Sequence, residues 1–301
     1  MIAVDWGSSS LRAFRLDAHG NILEQRRETQ SLLACTGRFE EVLMQQIAGW
    51  DDRCIVLAGM VGSRQGWVEV PYVNCPATLS RIAAGMVEVT ATSLRDRKVW
   101  IVPGLLYRGE PAAADVLRGE EAQLCGFMQS ADVGPQIVCM PGTHSKWAVV
   151  EGGSIESFCT AMTGEVFDIL CKHSLLGKLM SDARQPLDEK AFLDGMARAR
   201  QSGGLLHHLF SVRTSGLLGT LQSAQLSSYL SGLLIAHELL DSKWYMRARD
   251  HTVHLIGAPA LLETYALALH RLDVVTQLHG ETLAARGMFA LARAAGQVNT
   301  L

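Results

Sequence analysis

The sequence predicts an α/β protein of two related domains, each opening on a three-stranded meander. Three observations carry this expectation. The pattern strand, Gly-Ser/Thr turn, strand, Gly turn, strand occurs twice, starting near residue 2 and again near residue 136. The chain has 301 residues, about the length at which one core gives way to two. With 48% apolar and 19% charged residues it can fill sizeable cores, and its composition is not that of a disordered chain.

The elements follow in order. Ile2–Trp6 reads as a buried strand, Gly7-Ser8-Ser9-Ser10 turns it into Leu11–Asp17, and His19-Gly20-Asn21 turns that into Ile22–Thr29. A strand-to-strand opening is not the strand-to-helix opening of a dinucleotide fold. Phe39, Val42, Leu43, Ile47 and Trp50 recur at helical spacing and predict a helix over about 38–50. Cys54–Val61 and Val99–Val102 read as strands. The turn-rich stretch 62–76 between them reads as an exposed functional loop. A helix is expected over about 115–129. The break Asp132-Val133-Gly134-Pro135 then divides the chain into domains 1–135 and 136–301. Gln136–Met140, Lys146–Val150 and Ile155–Ala161 repeat the meander, and the chain reads as mainly helical to about 245. Thr252–Ile256, a helix over 260–271, Val274–Gln277 and a helix over about 281–296 close it. Whether that last helix packs back on the first domain stays open.

Several groups carry chemistry. In Asp5-Trp6-Gly7-Ser8-Ser9-Ser10, backbone N–H groups and hydroxyls can converge on an anion, and Asp5 is placed to hold a hydrated Mg²⁺. Gly142-Thr143-His144-Ser145-Lys146 offers the same chemistry plus a cation. Either turn alone reads equally as an ordinary hairpin. Together they suggest two domains gripping one polyphosphate from opposite sides of a cleft. Glu120, with Glu121 as the alternative, could accept the proton of an attacking hydroxyl; an acidic pair on a solvated helix face is the plainer reading. Arg64 suits a bidentate carboxylate, with Trp67 and Tyr72 against a carbon skeleton and Arg12 a further basic contact. Gly257 and Ala258, before a helix, leave room for an adenine on the backbone.

These segments resemble a known superfamily. Asp5–Arg12 resembles the first phosphate motif of the actin, hexokinase and heat-shock-chaperone superfamily. Gly142–Lys146 is similar to its second, and Leu255–Ala260 to its adenosine motif. Pro141 stands where many members carry an aspartate, which shifts metal binding towards Asp5. Gly59–Trp67, Cys75-Pro76-Ala77, Arg118-Gly119-Glu120-Glu121, Pro141–Trp147 and Thr163-Gly164-Glu165 together resemble the 2-dehydro-3-deoxygalactonokinase family over essentially the whole chain. The resemblance implies two RNase H-like (actin-like ATPase) domains, with mixed sheets flanked by helices. It also implies transfer of the ATP γ-phosphoryl group to the 6-hydroxyl of 2-dehydro-3-deoxy-D-galactonate. Glu120 falls where the glycerol and xylulose kinases carry their catalytic aspartate.

Other classes fit less well. No G-x-x-x-x-G-K-[ST] loop or strand-linked G-x-G-x-x-G is present. A phosphohydrolase of exopolyphosphatase type has no use for an acceptor loop with arginine and aromatics. A nucleotide-switch protein of chaperone or filament type generally carries added subdomains. The net charge of −3 gives no reason to expect nucleic acid or an anionic membrane as partner. The seven scattered cysteines, the start without a basic-then-apolar leader and the absence of a ~20-residue apolar run fit a cytoplasmic protein. A homo-oligomer is left open.

Overall fold

The computed structural model describes residues 1–94, 96–109, 114–132, 134–181, 186–241 and 251–298. The expected break at 132–135 and the helical stretch towards 245 each fall partly outside these residues. The chain forms two compact units. Unit 1 comprises Met1–Gln136, Ala148–Cys159 and the C-terminal segment from Gly280; unit 2 comprises Ile137–Trp147 and Thr160–His279. A single cut at 135/136 therefore misses two returns of the chain to unit 1.

In unit 1, β1 (Ile2–Trp6), β2 (Ser10–Leu16), β3 (Ile22–Thr29), β4 (Cys54–Gly59), β7 (Val87–Val89) and β8 (Lys98–Ile101) form a sheet in the order β3-β2-β1-β4-β8-β7. β1 is antiparallel to β2 and parallel to β4, which is parallel to β8. β1, central in the sheet between antiparallel β2 and parallel β4, is buried along its whole length, its one charged residue Asp5 included. β3 is mostly exposed and carries Glu24, Arg26, Arg27 and Glu28, charges that blunt a sheet edge. Helix α1 (Phe39–Gln46) is shorter than the expected 38–50, but Phe39, Val42, Leu43, Ile47 and Trp50 all join the unit 1 core with Ile2, Val4 and Leu57.

β5 (Val73–Asn74), β9 (Leu105–Arg108) and β10 (Ala114–Leu117) form a smaller sheet that the sequence did not suggest. β6 (Ala77–Thr78) and α2 (Leu79–Ala84) lie between. The helix expected from 115 starts only at Glu120, as α3 (Glu120–Met128): residues 114–117 pair with β9 instead. The last helix, α9 (Leu283–Ala294), packs on α3, α2 and the faces of β1 and β4. This position accounts for its burial on nearly every side.

Unit 2 contains β11 (Gln136–Met140) from Ile137 onward, β14 (Val253–Ile256) and β15 (Thr276–His279), parallel in that lateral order. β15 lies two residues beyond the expected Val274–Gln277. β12 (Ser145–Glu151) and β13 (Ser154–Ala161) carry the chain from unit 2 to unit 1 and back. Helices α4 (Thr163–His173), α5 (Glu189–Ala199), α6 (Gly204–Leu217) and α7 (Leu226–Asp241) enclose a second core around Val212, Leu230 and Leu233. α8 (Pro259–His270) follows β14.

Candidate active site

Unit 1 gathers one set of groups where β1 and β4 end. The β1–β2 register sets Asp5 opposite Arg12. The Arg12 guanidinium reaches Asp5 Oδ2 at 2.6 Å and, through its other nitrogen, Glu281 Oε1 at 2.6 Å. Burial pushes the Asp5 carboxyl up while Arg12 opposes the shift. Arg12 thus bridges two carboxylates. The following turn is held by its backbone: Gly7 N–H donates to Ser10 O at 2.9 Å, and the Ser8 and Ser9 carbonyls accept from Leu32 and Gln30. Ser8 and Ser9 remain exposed.

Three backbone segments meet here. A Cβ on Gly59 would fall 2.5 Å from Trp6 O, and one on Gly119 would fall 3.2 Å from Gly59 Cα. Gly119 also has a φ of 106°, where a side chain is strained. The ends of β1 and β4 and the start of α3 therefore share one corner, and Glu120 stands at it, partly exposed. Its Oε2 accepts the Arg118 N–H at 3.1 Å. Glu121 is completely buried, its Oε2 accepting the Gly119 N–H at 2.5 Å. Burial, then the neighbouring Glu120, pushes the Glu121 carboxyl up to about 8.

The 62–76 loop is less exposed than its composition suggests. Arg64 is solvent-facing, 87% exposed, and meets Glu69 only at 3.5 Å. Trp67 packs against the unit 1 core, stacked on Phe39 with centroids 6.5 Å apart. Tyr72 lies under the Arg118 guanidinium, 4.5 Å from its ring centre, and Arg118 also donates to Val70 O at 2.7 Å. Sequence reasoning missed Arg118 as the organiser of this loop; its place in Arg-Gly-Glu-Glu was the only signal.

Unit 2 gathers the other set. A Cβ on Gly164 would fall 2.3 Å from Gly142 O, so the first turn of α4 abuts the 142–144 turn. Glu165 N–H donates to Thr143 O at 2.9 Å, and the Glu165 carboxylate bonds the His144 ring. Thr143 and His144 are exposed. Ser145 and Lys146 are buried: Ser145 Oγ bonds Tyr265 OH at 2.8 Å, and Lys146 Nζ donates to His144 O at 3.0 Å. Ala258 is the N-cap of α8, and a Cβ on Gly257 would lie 3.6 Å from Pro141 O. The turns after the parallel strands β11 and β14 are thus neighbours. Beside them is a cavity of about 140 Å³ lined by Gly142, Thr163, Gly164, Phe167, Leu261 and Tyr265.

One group in unit 2 escaped sequence reasoning. Glu238 of α7, partly buried, accepts hydrogen bonds from Trp147 Nε1 at 2.7 Å, from Tyr265 OH at 2.7 Å and from Thr163 Oγ1. Burial pushes its carboxyl up and these bonds oppose the shift. A glutamate in the apolar run Leu-Leu-Ile-Ala-His-Glu-Leu-Leu was the available signal. Among the described residues no three His, Cys, Asp or Glu side chains cluster as a metal site, and no helix is long and apolar enough to cross a membrane.

Comparison with known proteins gives the family and the fold. Residues 5–291 match the family model of 2-keto-3-deoxy-galactonokinase. A 2-dehydro-3-deoxygalactonokinase from Escherichia coli K12 is 35% identical over 297 residues, 97% of each chain. A Sinorhizobium meliloti protein provisionally assigned the same activity has a crystal structure that superposes with a TM-score of 0.88 at 34% identity. The match covers 97% of this chain and 98% of that one. At 11% identity, the activator of 2-hydroxyisocaproyl-CoA dehydratase from Clostridium difficile, solved with bound ADPNP, shares the fold with a TM-score of 0.53, covering 100% of this chain and 98% of that one. The expected α/β fold with mixed sheets flanked by helices is the one observed.

Proposed function

The chain belongs to the 2-keto-3-deoxy-galactonokinase family, and on that premise we propose how its own residues move a phosphoryl group from ATP to the 6-hydroxyl of 2-dehydro-3-deoxy-D-galactonate. It is an ATP-dependent sugar-acid kinase; family membership does not favour the phosphohydrolase or nucleotide-switch readings. The observation that carries the mechanism is the contrast within Glu120-Glu121. Glu121 is sealed in unit 1 with its carboxyl pushed up to about 8, so at neutral pH it is mostly protonated and out of reach. Glu120 is accessible, beside the Asp5–Ser10 turn.

Glu120 takes the proton of the acceptor hydroxyl as its oxygen bonds to the γ-phosphorus and the bond to the β-phosphate oxygen breaks, releasing ADP. Nucleotide binding falls to unit 2. The 142–144 turn and the α4 N-terminus, which has no side-chain cap, offer N–H groups to phosphates. The adjoining cavity, with Gly257 and Ala258 nearby, takes the base or sugar. In unit 1 the first turn has Ser8, Ser9 and Ser10 as its donors, the Gly7 N–H being spent on Ser10 O, and the buried Lys146 braces the second turn through His144 O. Asp5 fits a magnesium role of the kind that needs one carboxylate and phosphate oxygens, not a full protein cage. Arg12 holds the Asp5 carboxylate through Oδ2, and this carboxylate would be the protein's contribution to a hydrated magnesium ion. Bound magnesium would neutralise phosphate charge during transfer.

On the acceptor side, Arg64 binds the carboxylate. Its contact with exposed Glu69 is long and of little energetic weight, so it is readily exchanged. Tyr72 flanks the carbon chain, and Trp67 anchors the loop to the core. Arg12 is better assigned to Asp5 than to the acceptor. A cytoplasmic setting goes with this reading. A coupled ADP-release screen over 2-keto-3-deoxy sugar acids and their neutral analogues tests it. Turnover should require an acid, and equal rates with neutral analogues would remove Arg64 and the sugar-acid assignment together.

A further inference from the structure

We propose that Glu238 is a positioning residue for the nucleotide, holding the wall of the unit 2 cavity in its binding shape. The inference rests on, and deepens, the assignment of ATP to unit 2. Ser231, Leu234 and Ile235 line the cavity from α7, and Glu238 continues the same helical face at a spacing of three, four and seven residues. Its three donors come from separate elements. Thr163 begins α4 and lines the cavity, Tyr265 lines it from α8, and Trp147 follows Lys146 in β12.

Tyr265 extends the chain of contacts to Ser145 of the second phosphate turn. One carboxylate thus joins the helix start, the cavity wall and the strand that carries that turn. An ionised carboxylate is the one side chain of this size that accepts from all three without offering a competing donor. Glutamine has the same shape, but its NH₂ must face at least one of these donors. Either Thr163 and Tyr265 rotate away, or the Trp147 N–H is left unpaired.

The test uses the full-length chain in four forms: wild type, E238Q, Y265F and G164A. Calorimetry gives the Kd of a non-hydrolysable ATP analogue, and steady-state kinetics give the KM of each substrate. E238Q should raise the nucleotide Kd and the ATP KM about tenfold, leaving the sugar-acid KM within about twofold of wild type. Y265F should move the same constants in the same direction by about threefold. A wild-type Kd in E238Q beside a weakened G164A overturns the role of Glu238 and keeps the pocket. A wild-type Kd in G164A rejects the pocket, and this inference with it. Equal rises in both KM values also overturn it, since a general packing defect would act on both substrates. If E238Q does not fold, Y265F decides alone, and an unchanged Kd there is the contrary result.

Discussion

The turns at 5–10 and 141–146 follow the first strand of their respective meanders and have nearly the same local chemistry, yet they are built differently. The first carries a carboxylate: Asp5, gripped by Arg12, which Glu281 grips in turn. Its serines at 8 and 9 face solvent. The second has no carboxylate, with Pro141 leading into its glycine; it turns Ser145 and Lys146 inward, and is braced by a helix packed on it at Gly164. The difference teaches that like sequence motifs can be built for different work. On the proposed reading, unit 1 supplies a carboxylate and the base, whereas unit 2 supplies backbone donors held by a buried network.

Variants can break this contrast in order of size. The largest effect belongs to Glu120→Gln, which should lower turnover by ~10²–10⁴-fold with nucleotide affinity intact; a coupled ADP-release assay reads it. Gly164→Ala forces a methyl towards Gly142 O and should raise the ATP KM by roughly 10–100-fold with a smaller change in the sugar-acid KM. Near-equal changes in both constants would blur the division between units.

Glu121→Gln concerns stability. The unfolded carboxyl releases its proton near 4.5 and the folded one near 8. Between those values the unfolded chain binds fewer protons, so stability falls as pH rises, from no cost below 4.5 to the full cost above 8. Thermal melts of wild type from pH 6 to 8 should show a loss on the order of 2 kcal/mol that the glutamine variant lacks. The smallest effect is that of Arg64→Ala, which should raise the sugar-acid KM about tenfold. The residue is exposed, so its melting temperature should stay near wild type.

The first meander was legible because apolar runs and glycine turns alternate at short range. The start of α3 was not, since Ala114–Leu117 is drawn into a strand by pairing with β9, a tertiary choice that local periodicity does not record. Asp5 and Glu120, the residues the proposed mechanism uses, were singled out by motif. Glu281, Glu238 and Tyr265 did not, because their partners are distant in the chain: Ser145 and Tyr265 are 120 residues apart, and Trp147 and Glu238 are 91 apart. Trp67 shows the limit of composition alone. An aromatic in a turn-rich loop suits a ligand or a core equally, and here its ring stacks on Phe39.

The division of work between the units is tested most directly in one preparation of Glu120→Gln. The Kd of a non-hydrolysable ATP analogue and the kcat with ATP and 2-dehydro-3-deoxy-D-galactonate are measured side by side. Nucleotide affinity should stay within about twofold of wild type while kcat falls at least ~100-fold. A near-wild-type kcat, or a loss of nucleotide affinity that accounts for the loss of rate, would contradict it.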